Sequence, residues 1–119
     1  MTTVLIMEDE PTINMILCEL LKDEGFHVES AFDGSSGLKK IIEEPKPDLV
    51  IVDLRMPKVT GKEVVLAMQT NSDLKKIPII IISGAVADPE EFPPDGSYQA
   101  VFSKPFDLIQ VLKKVKELI

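Results

Sequence analysis

The chain has 119 residues, 45% of them apolar, and a formal net charge of −7. That length suffices for one packed domain and is short for two, and the apolar content separates the chain from disordered acidic tails. The acidic balance, with basic residues scattered, argues against direct nucleic-acid binding, which needs a basic face to neutralise phosphates. A single cysteine, Cys18, excludes an internal disulfide and points to a cytoplasmic protein. No apolar stretch approaches the ~18 residues of a membrane span, and the first residues lack the basic and apolar regions of a signal peptide.

Strands and helices alternate along the sequence. Thr3 to Met7 reads as a short apolar strand. Pro11 suits the first turn of a helix, where its missing N–H costs nothing. Ile13, Ile16, Leu17, Leu20 and Leu21 follow at helical spacing, and Gly25 is placed to close that helix. His27 to Ala31 reads as a second strand. Ser35 is the expected cap of a second helix with Leu38, Ile41 and Ile42 on one side. Leu49 to Asp53 is a third strand, apolar almost throughout and therefore expected to be buried on both faces. Gly61 opens a third helix carrying Val64, Val65 and Met68. Pro78 to Ile82 and Ala100 to Ser103 are the fourth and fifth strands. Asp107 caps a last helix with Leu108, Val111, Leu112, Val115 and Leu118 facing inward.

Five β-units joined by helical crossovers predict an α/β fold with a parallel sheet covered on both faces. One segment departs from the pattern. Between strands four and five the residues are AVADPEEFPPDGSYQ. Pro89 can start a helix, but Pro93 and Pro94 stop it within about a turn. The fourth helix is therefore expected to be short, distorted or absent. No linker or repeat interrupts residues 1–119, which are expected to form one domain.

The chemistry-bearing residues fall where strands end. Glu8 and Asp9 follow VLIM, Asp53 closes LVIV, Ser83 follows IPIIII, and Lys104 follows AVFS. Ligands of open parallel sheets bind beyond the carboxyl ends of the strands. Glu8, Asp9 and Asp53 offer hard oxygen ligands suited to Mg²⁺. Without metal, their mutual repulsion is expected to raise at least one pKa. With metal, Asp53 has a free oxygen to attack phosphorus, as nucleophilic carboxylates do. Lys104 would balance part of the phosphoryl charge, Ser83 would donate a hydrogen bond to it, and Gly84 would leave it room.

In order along the chain, LIMEDEP, IVDLRMPKVTG, IIISG and FSKPF end strands one, three, four and five. With these stretches the chain resembles, from end to end, the receiver domain of two-component response regulators. The resemblance implies a doubly wound five-stranded parallel sheet in the order 2-1-3-4-5. It implies that a histidine kinase or a histidine phosphotransfer protein donates a phosphoryl group to Asp53, with Mg²⁺ held by Glu8, Asp9, Asp53 and the main-chain carbonyl of Arg55. It implies slow self-catalysed loss of that group, and output through a downstream protein partner or a phosphorelay. Ser83 and Lys104 would read the phosphoryl group, and the Lys104–Pro105 peptide would be cis.

Two departures from the family pattern fall on the output side. The position three before the lysine usually carries an aromatic whose ring swings inward; here it is Val101, and its neighbour Phe102 should face the other way. The proline-rich segment also replaces much of the usual fourth helix. Phosphoryl acceptance is therefore expected to survive with atypical output. Glu8–Asp9 in place of the more frequent Asp–Asp is a tolerated change that bears on metal affinity.

Plainer readings stand beside these. Singly, Glu8 and Asp9 are ordinary loop acids, Ser83 a turn residue and Lys104 a surface lysine; it is the five together that point to a site. Glu10 is expected to support the helix start, Thr60–Gly61 to cap the third helix, Cys18 to pack, and ADPEE to be a solvated loop. His27 has no evident partner and reads as structural. Arg55, two residues after the acceptor, is placed to reach over it and alter phosphoryl loss. The alternative to a switch is a phosphorylation-independent scaffold or pseudo-receiver binding module. An enzyme on a related α/β fold is a third reading. It lacks a second acid two residues after Asp53, and MEDEP would repel a phosphate loop's ligand. No GxGxxG or GxxxxGK[ST] is present.

Overall fold

All residues of β1 (Thr3–Met7), β3 (Leu49–Asp53) and β4 (Ile79–Ser83) are buried in this computed structural model, which describes residues 2–84 and 87–119. Strands apolar on both faces suit a sheet enclosed between helices. With β2 (His27–Ala31) and β5 (Ala100–Ser103) they form one parallel sheet in the order β2-β1-β3-β4-β5. The α-helices are α1 (Pro11–Asp23), α2 (Gly34–Ile42), α3 (Gly61–Gln69) and α4 (Leu108–Leu118).

Alternation along the strands assigns the two cores. Leu5, Met7, Val50, Val52, Ile79 and Ile81 pack with Ile41 of α2 and with Val64, Val65 and Met68 of α3. Val4, Ile6, Leu49, Ile51, Ile80 and Ile82 pack with Leu17 and Leu21 of α1 and with Val111 and Val115 of α4. Each such side chain contributes roughly 1.5–3 kcal/mol by leaving water. The doubly wound architecture expected from the sequence is the one observed.

Local signals explain most boundaries. Gly25 has φ +91°, and the end of α1 closes with Phe26 N–H donating to the Leu21 carbonyl (3.2 Å) and Gly25 N–H to that of Lys22 (3.0 Å). A residue with a Cβ adopts that φ only with strain, so glycine is the fitting residue there. Two expectations need correction. The cap of α2 is Asp33 rather than Ser35: Asp33 Oδ1 accepts from Ser36 N–H at 2.7 Å, and Gly34 already lies in the helix. Ile42, at the end of that helix, falls outside the buried stripe and is exposed. The fourth strand also starts one residue late. Pro78 has no N–H to give the ladder, although its carbonyl accepts from Val50 at 3.0 Å.

His27 is not without a partner. Its Nε2 lies 2.8 Å from Glu29 Oε2, two residues along β2 and hence on the same face, and Lys40 approaches the other Glu29 oxygen at 3.5 Å. The pair is exposed and structural.

The β4–β5 crossover carries, among the described residues, only a single 3-10 turn, Pro89–Glu91. Residues 85–86 of this segment lie outside the described residues. Pro93 and Pro94 end the turn, as their chemistry requires. Phe92 and Tyr98 pack against the α2–α3 core, their ring centroids 6.3 Å apart and tilted 41°.

Candidate functional site

Parallel pairing brings the strand ends to one edge. Glu8 N–H donates to the Ala31 carbonyl at 3.1 Å, Leu54 N–H to Ile82 at 3.2 Å, and Lys104 N–H to Ser83 at 2.7 Å. Glu8 and Asp9 therefore leave β1, Asp53 ends β3, Ser83 ends β4 and Lys104 leaves β5 around one cleft. The start of α3 closes beneath it. Thr60 and Glu63 form a reciprocal cap at its N-terminus, and Gly61 N–H donates to the Leu54 carbonyl at 2.9 Å. A Cβ on Gly61 would collide with the Asp53 carbonyl, so the close approach of α3 to the end of β3 requires glycine. At Gly84 a Cβ would meet no heavy atom of the described residues within 4 Å.

Three carboxylates converge. One oxygen each of Glu8, Asp9 and Asp53 lie within 4.8 Å of one another. Glu8 is fully buried and Asp53 is 2% exposed, while Asp9 faces solvent. Lys104 Nζ bridges two of them, at 2.7 Å from Glu8 Oε1 and 3.0 Å from Asp53 Oδ2. Arg55 N–H donates to Asp53 Oδ1 at 3.3 Å, and Glu10 N–H to Glu8 Oε2 at 3.0 Å. Glu10 is the first residue before α1 and its side chain makes no cap; it serves the site through its backbone.

The electrostatics follow from depth. Burial pushes the Glu8 carboxyl up to about 7, against the pull of Lys104 and the Glu10 N–H; Asp53 adds a smaller push. The expectation that one acid would be raised holds, but desolvation is the main cause and repulsion a lesser one. Burial opposes the charge of Lys104 too, yet its two carboxylate partners outweigh it and its pKa rises. The opposite outcomes in one ion pair reflect solvent access: the Lys104 side chain is 23% exposed and that of Glu8 is 0%.

The donor set fits a divalent cation. Glu8 Oε1 is buried and has no aligned hydrogen-bond donor, its Lys104 contact being an ion pair outside hydrogen-bond geometry. A buried carboxylate oxygen in that state is costly. Three hard oxygens around one point match the demands of Mg²⁺, which takes few carboxylates and keeps several waters.

One positioning residue escaped the sequence reading. Asn14 on α1 is 1% exposed and donates from Nδ2 to the Glu8 carbonyl (2.9 Å) and the Ala31 carbonyl (3.2 Å). It thereby fastens the acidic loop to the end of β2. Its spacing from Leu17 and Leu21 places an amide on a buried stripe, which is the signal that marks it.

The arrangement agrees with comparisons to known proteins. A family model described as response regulator receiver domain matches residues 4–116. The DNA-binding dual master transcriptional regulator RpaA of Synechocystis is 30% identical over 122 residues, covering 100% of this chain and 49% of that protein. The chain belongs to the response regulator receiver domain family. It thus spans about half the length of RpaA, whereas it spans 95% of the polar-differentiation response regulator DivK of Brucella anthropi, at 26% identity and 98% coverage of this chain. The response regulator TrrA of Thermotoga maritima, solved in complex with Mg²⁺-BeF, is 30% identical, with TM-score 0.83 and full coverage of both chains.

As a receiver domain of two-component signalling, the molecule brings Glu8, Asp9, Asp53 and Lys104 together at one edge and has Val101 and a proline-rich crossover on another. The Lys104–Pro105 peptide is cis, as the resemblance implies; Glu44–Pro45 is cis as well. Val101 is 40% exposed, and Phe102 packs on the opposite face with the α1–α4 core. Among the described residues no helix is long and apolar enough to cross a membrane.

Proposed function

We propose that this receiver accepts a phosphoryl group on Asp53 from the phosphohistidine of a histidine kinase or a histidine phosphotransfer protein, and that acceptance depends on Mg²⁺. The observation that carries this reading is the bridge of Lys104 between Glu8 and Asp53 inside a cluster of three carboxylates. Two buried acids and a third at the rim repel one another, a cost that a bound cation would offset.

Glu8, Asp9, Asp53 and the Arg55 main-chain carbonyl would hold Mg²⁺, which when bound neutralises charge on the incoming phosphoryl oxygens. An Asp53 oxygen attacks phosphorus, the P–N bond breaks, and its electron pair returns to the imidazole ring. Lys104 stays an ammonium and turns from Asp53 Oδ2 to the new phosphoryl oxygens. Ser83, 2% exposed at the end of β4, supplies a hydroxyl donor to the same group. Positioning and charge neutralisation do the chemistry, with little demand for acid–base catalysis. Water removes the phosphoryl group slowly, so the domain acts as a timed signalling module rather than a turnover enzyme.

The donor's approach is supported by an apolar groove of about 460 Å³ whose lining includes Ile13, Ile16, Phe106 and Leu108 together with Lys104. We assign it to the phosphohistidine-bearing domain, because the groove shares Lys104 with the acceptor site. Output then passes to a protein partner or onward in a relay.

The test is intact mass after incubation with Mg²⁺ and a small-molecule phosphodonor. The parent gains one phosphoryl group and Asp53→Asn gains none. A parent that binds Mg²⁺ yet stays unmodified supports the scaffold reading instead.

A further inference from the structure

The Arg55 side chain reaches the β4–β5 crossover. Its guanidinium forks onto Glu91, with Nε 2.8 Å from Oε2 and a terminal nitrogen 2.8 Å from Oε1. Glu91 belongs to the 3-10 turn of the β4–β5 crossover, 36 residues away. Of the acid run, Glu91 is engaged through its side chain, while Asp88 and Glu90 are exposed, as expected of a solvated loop. Glu91 Oε1 also accepts from Asp88 N–H at 3.1 Å, and Lys62 Nζ donates to the Glu90 carbonyl at 2.8 Å. The crossover is thus tied by two cations to the start of α3 and to the loop that follows the acceptor.

Resting on the acceptance of phosphoryl at Asp53, we propose that the Arg55–Glu91 fork is a latch: the guanidinium leaves Glu91 for the phosphoryl group, and the crossover is released. The geometry supplies both ends. Arg55 is two residues from the phosphorylated side chain and its own N–H already donates to Asp53 Oδ1. Before phosphorylation Lys104 offsets the charge of Asp53, and the guanidinium forks onto Glu91. A phosphoryl group adds about −1.5 to −2 charge beside Arg55 and offers the bidentate acceptor geometry that guanidinium favours. Glu91 competes poorly with it, because exposed ion pairs are weak. The latch gives this receiver an output route that needs no inward-swinging aromatic at Val101. Its signal is the freedom of the Pro89–Glu91 turn.

The experiment is amide and Arg side-chain NMR on the parent, Glu91→Gln and Arg55→Lys, with Mg²⁺ alone and then with beryllofluoride as a stable phosphoryl mimic. In the parent, the Arg55 Nε–Hε signal and the amides of residues 88–92 shift on adding the mimic. In Glu91→Gln those amides start near their released positions and lose at least half of their response, while the shifts at Asp53 and Ser83 persist. Arg55→Lys, which keeps the charge without the fork, also loses at least half. Shifts at Asp53 and Ser83 with an unmoved crossover, or a crossover response unchanged in Glu91→Gln, overturn the latch alone. No shift at Asp53 or Ser83 in the parent overturns phosphoryl acceptance, and the latch with it.

Discussion

The acceptor edge and the β4–β5 crossover sit a few residues apart and are built by different forces. The edge is held by strand ladders: Asp53, Ser83 and Lys104 are fixed by backbone hydrogen bonds under a core that excludes water. The crossover is held by side chains, with Phe92 and Tyr98 below and Arg55 and Lys62 at one side. Ladders leave little freedom, as a site for phosphoryl transfer requires. Exposed ion pairs exchange partners readily, as a signal requires. The region that departs from the family pattern is the crossover, and the carboxylate cluster of the acceptor edge is assembled without it.

The largest expected contrast lies in the core. Ile80→Ala, beneath the acceptor edge, should cost about 3 kcal/mol in urea unfolding through lost burial and a cavity. Phe92→Ala in the crossover, only partly buried, should cost about 1 kcal/mol. Equal losses would mean the crossover is part of the rigid scaffold.

Next comes pH. The Glu8 carboxyl is raised from 4.5 to about 7 in the fold. A raised acid stabilises the fold below its unfolded pKa, and that contribution is lost as pH rises through the folded value. The metal-free protein should therefore lose on the order of 2–3 kcal/mol between about pH 4.5 and 7. The upward shift of Lys104 acts near or above 10.5 and does not enter this window. Saturating Mg²⁺ should flatten the fall, since it favours the ionised carboxylate. A metal-free stability that is flat or rising across that window contradicts the burial account of Glu8.

Asn14→Ala removes two buried hydrogen bonds, taking the side-chain donor from the Glu8 carbonyl and one of two donors from the Ala31 carbonyl. A loss of about 1–3 kcal/mol is expected, with weaker Mg²⁺ binding by calorimetry. Unchanged Mg²⁺ affinity would reduce Asn14 to a packing residue. The smallest effect belongs to the crossover. Glu91→Gln should leave stability at neutral pH nearly unchanged, because exposed ion pairs contribute little. Arg55 holds the Glu91 carboxyl down at about 2, so the pair should persist on acidification and be lost only as pH falls through that value. Loss of the Arg55 Nε–Hε shift already at pH 4 would break that assignment.

The sheet and its chemical edge were legible because their signals are local. An apolar run followed by an acid, a serine or a lysine marks a strand and its end without reference to any other segment. Four stretches of this kind in order sufficed for the architecture and for the cluster of Glu8, Asp9 and Asp53. What the sequence withheld depends on contacts made across the chain. Arg55 meets Glu91 over 36 residues, so no local signal marked Glu91 as the one acid of ADPEE with a guanidinium partner. Asn14 hid among aliphatic neighbours because its partners are carbonyls, which no sequence displays. The cap of α2 shifted from Ser35 to Asp33, since both residue types cap and only the backbone chooses. The atypical output expected from Val101 and the proline-rich segment takes a specific form in the Arg55–Glu91 fork, which assigns the response to the Pro89–Glu91 turn.

The most direct test locates the new bond. Phosphodonor-treated protein is reduced with borohydride, which converts an aspartyl phosphate to homoserine, and the peptides are sequenced by mass. The account predicts conversion at position 53, dependent on Mg²⁺ and abolished by a chelator. Conversion at Glu8 or Asp9, or none at any acid with Mg²⁺ present, would contradict it.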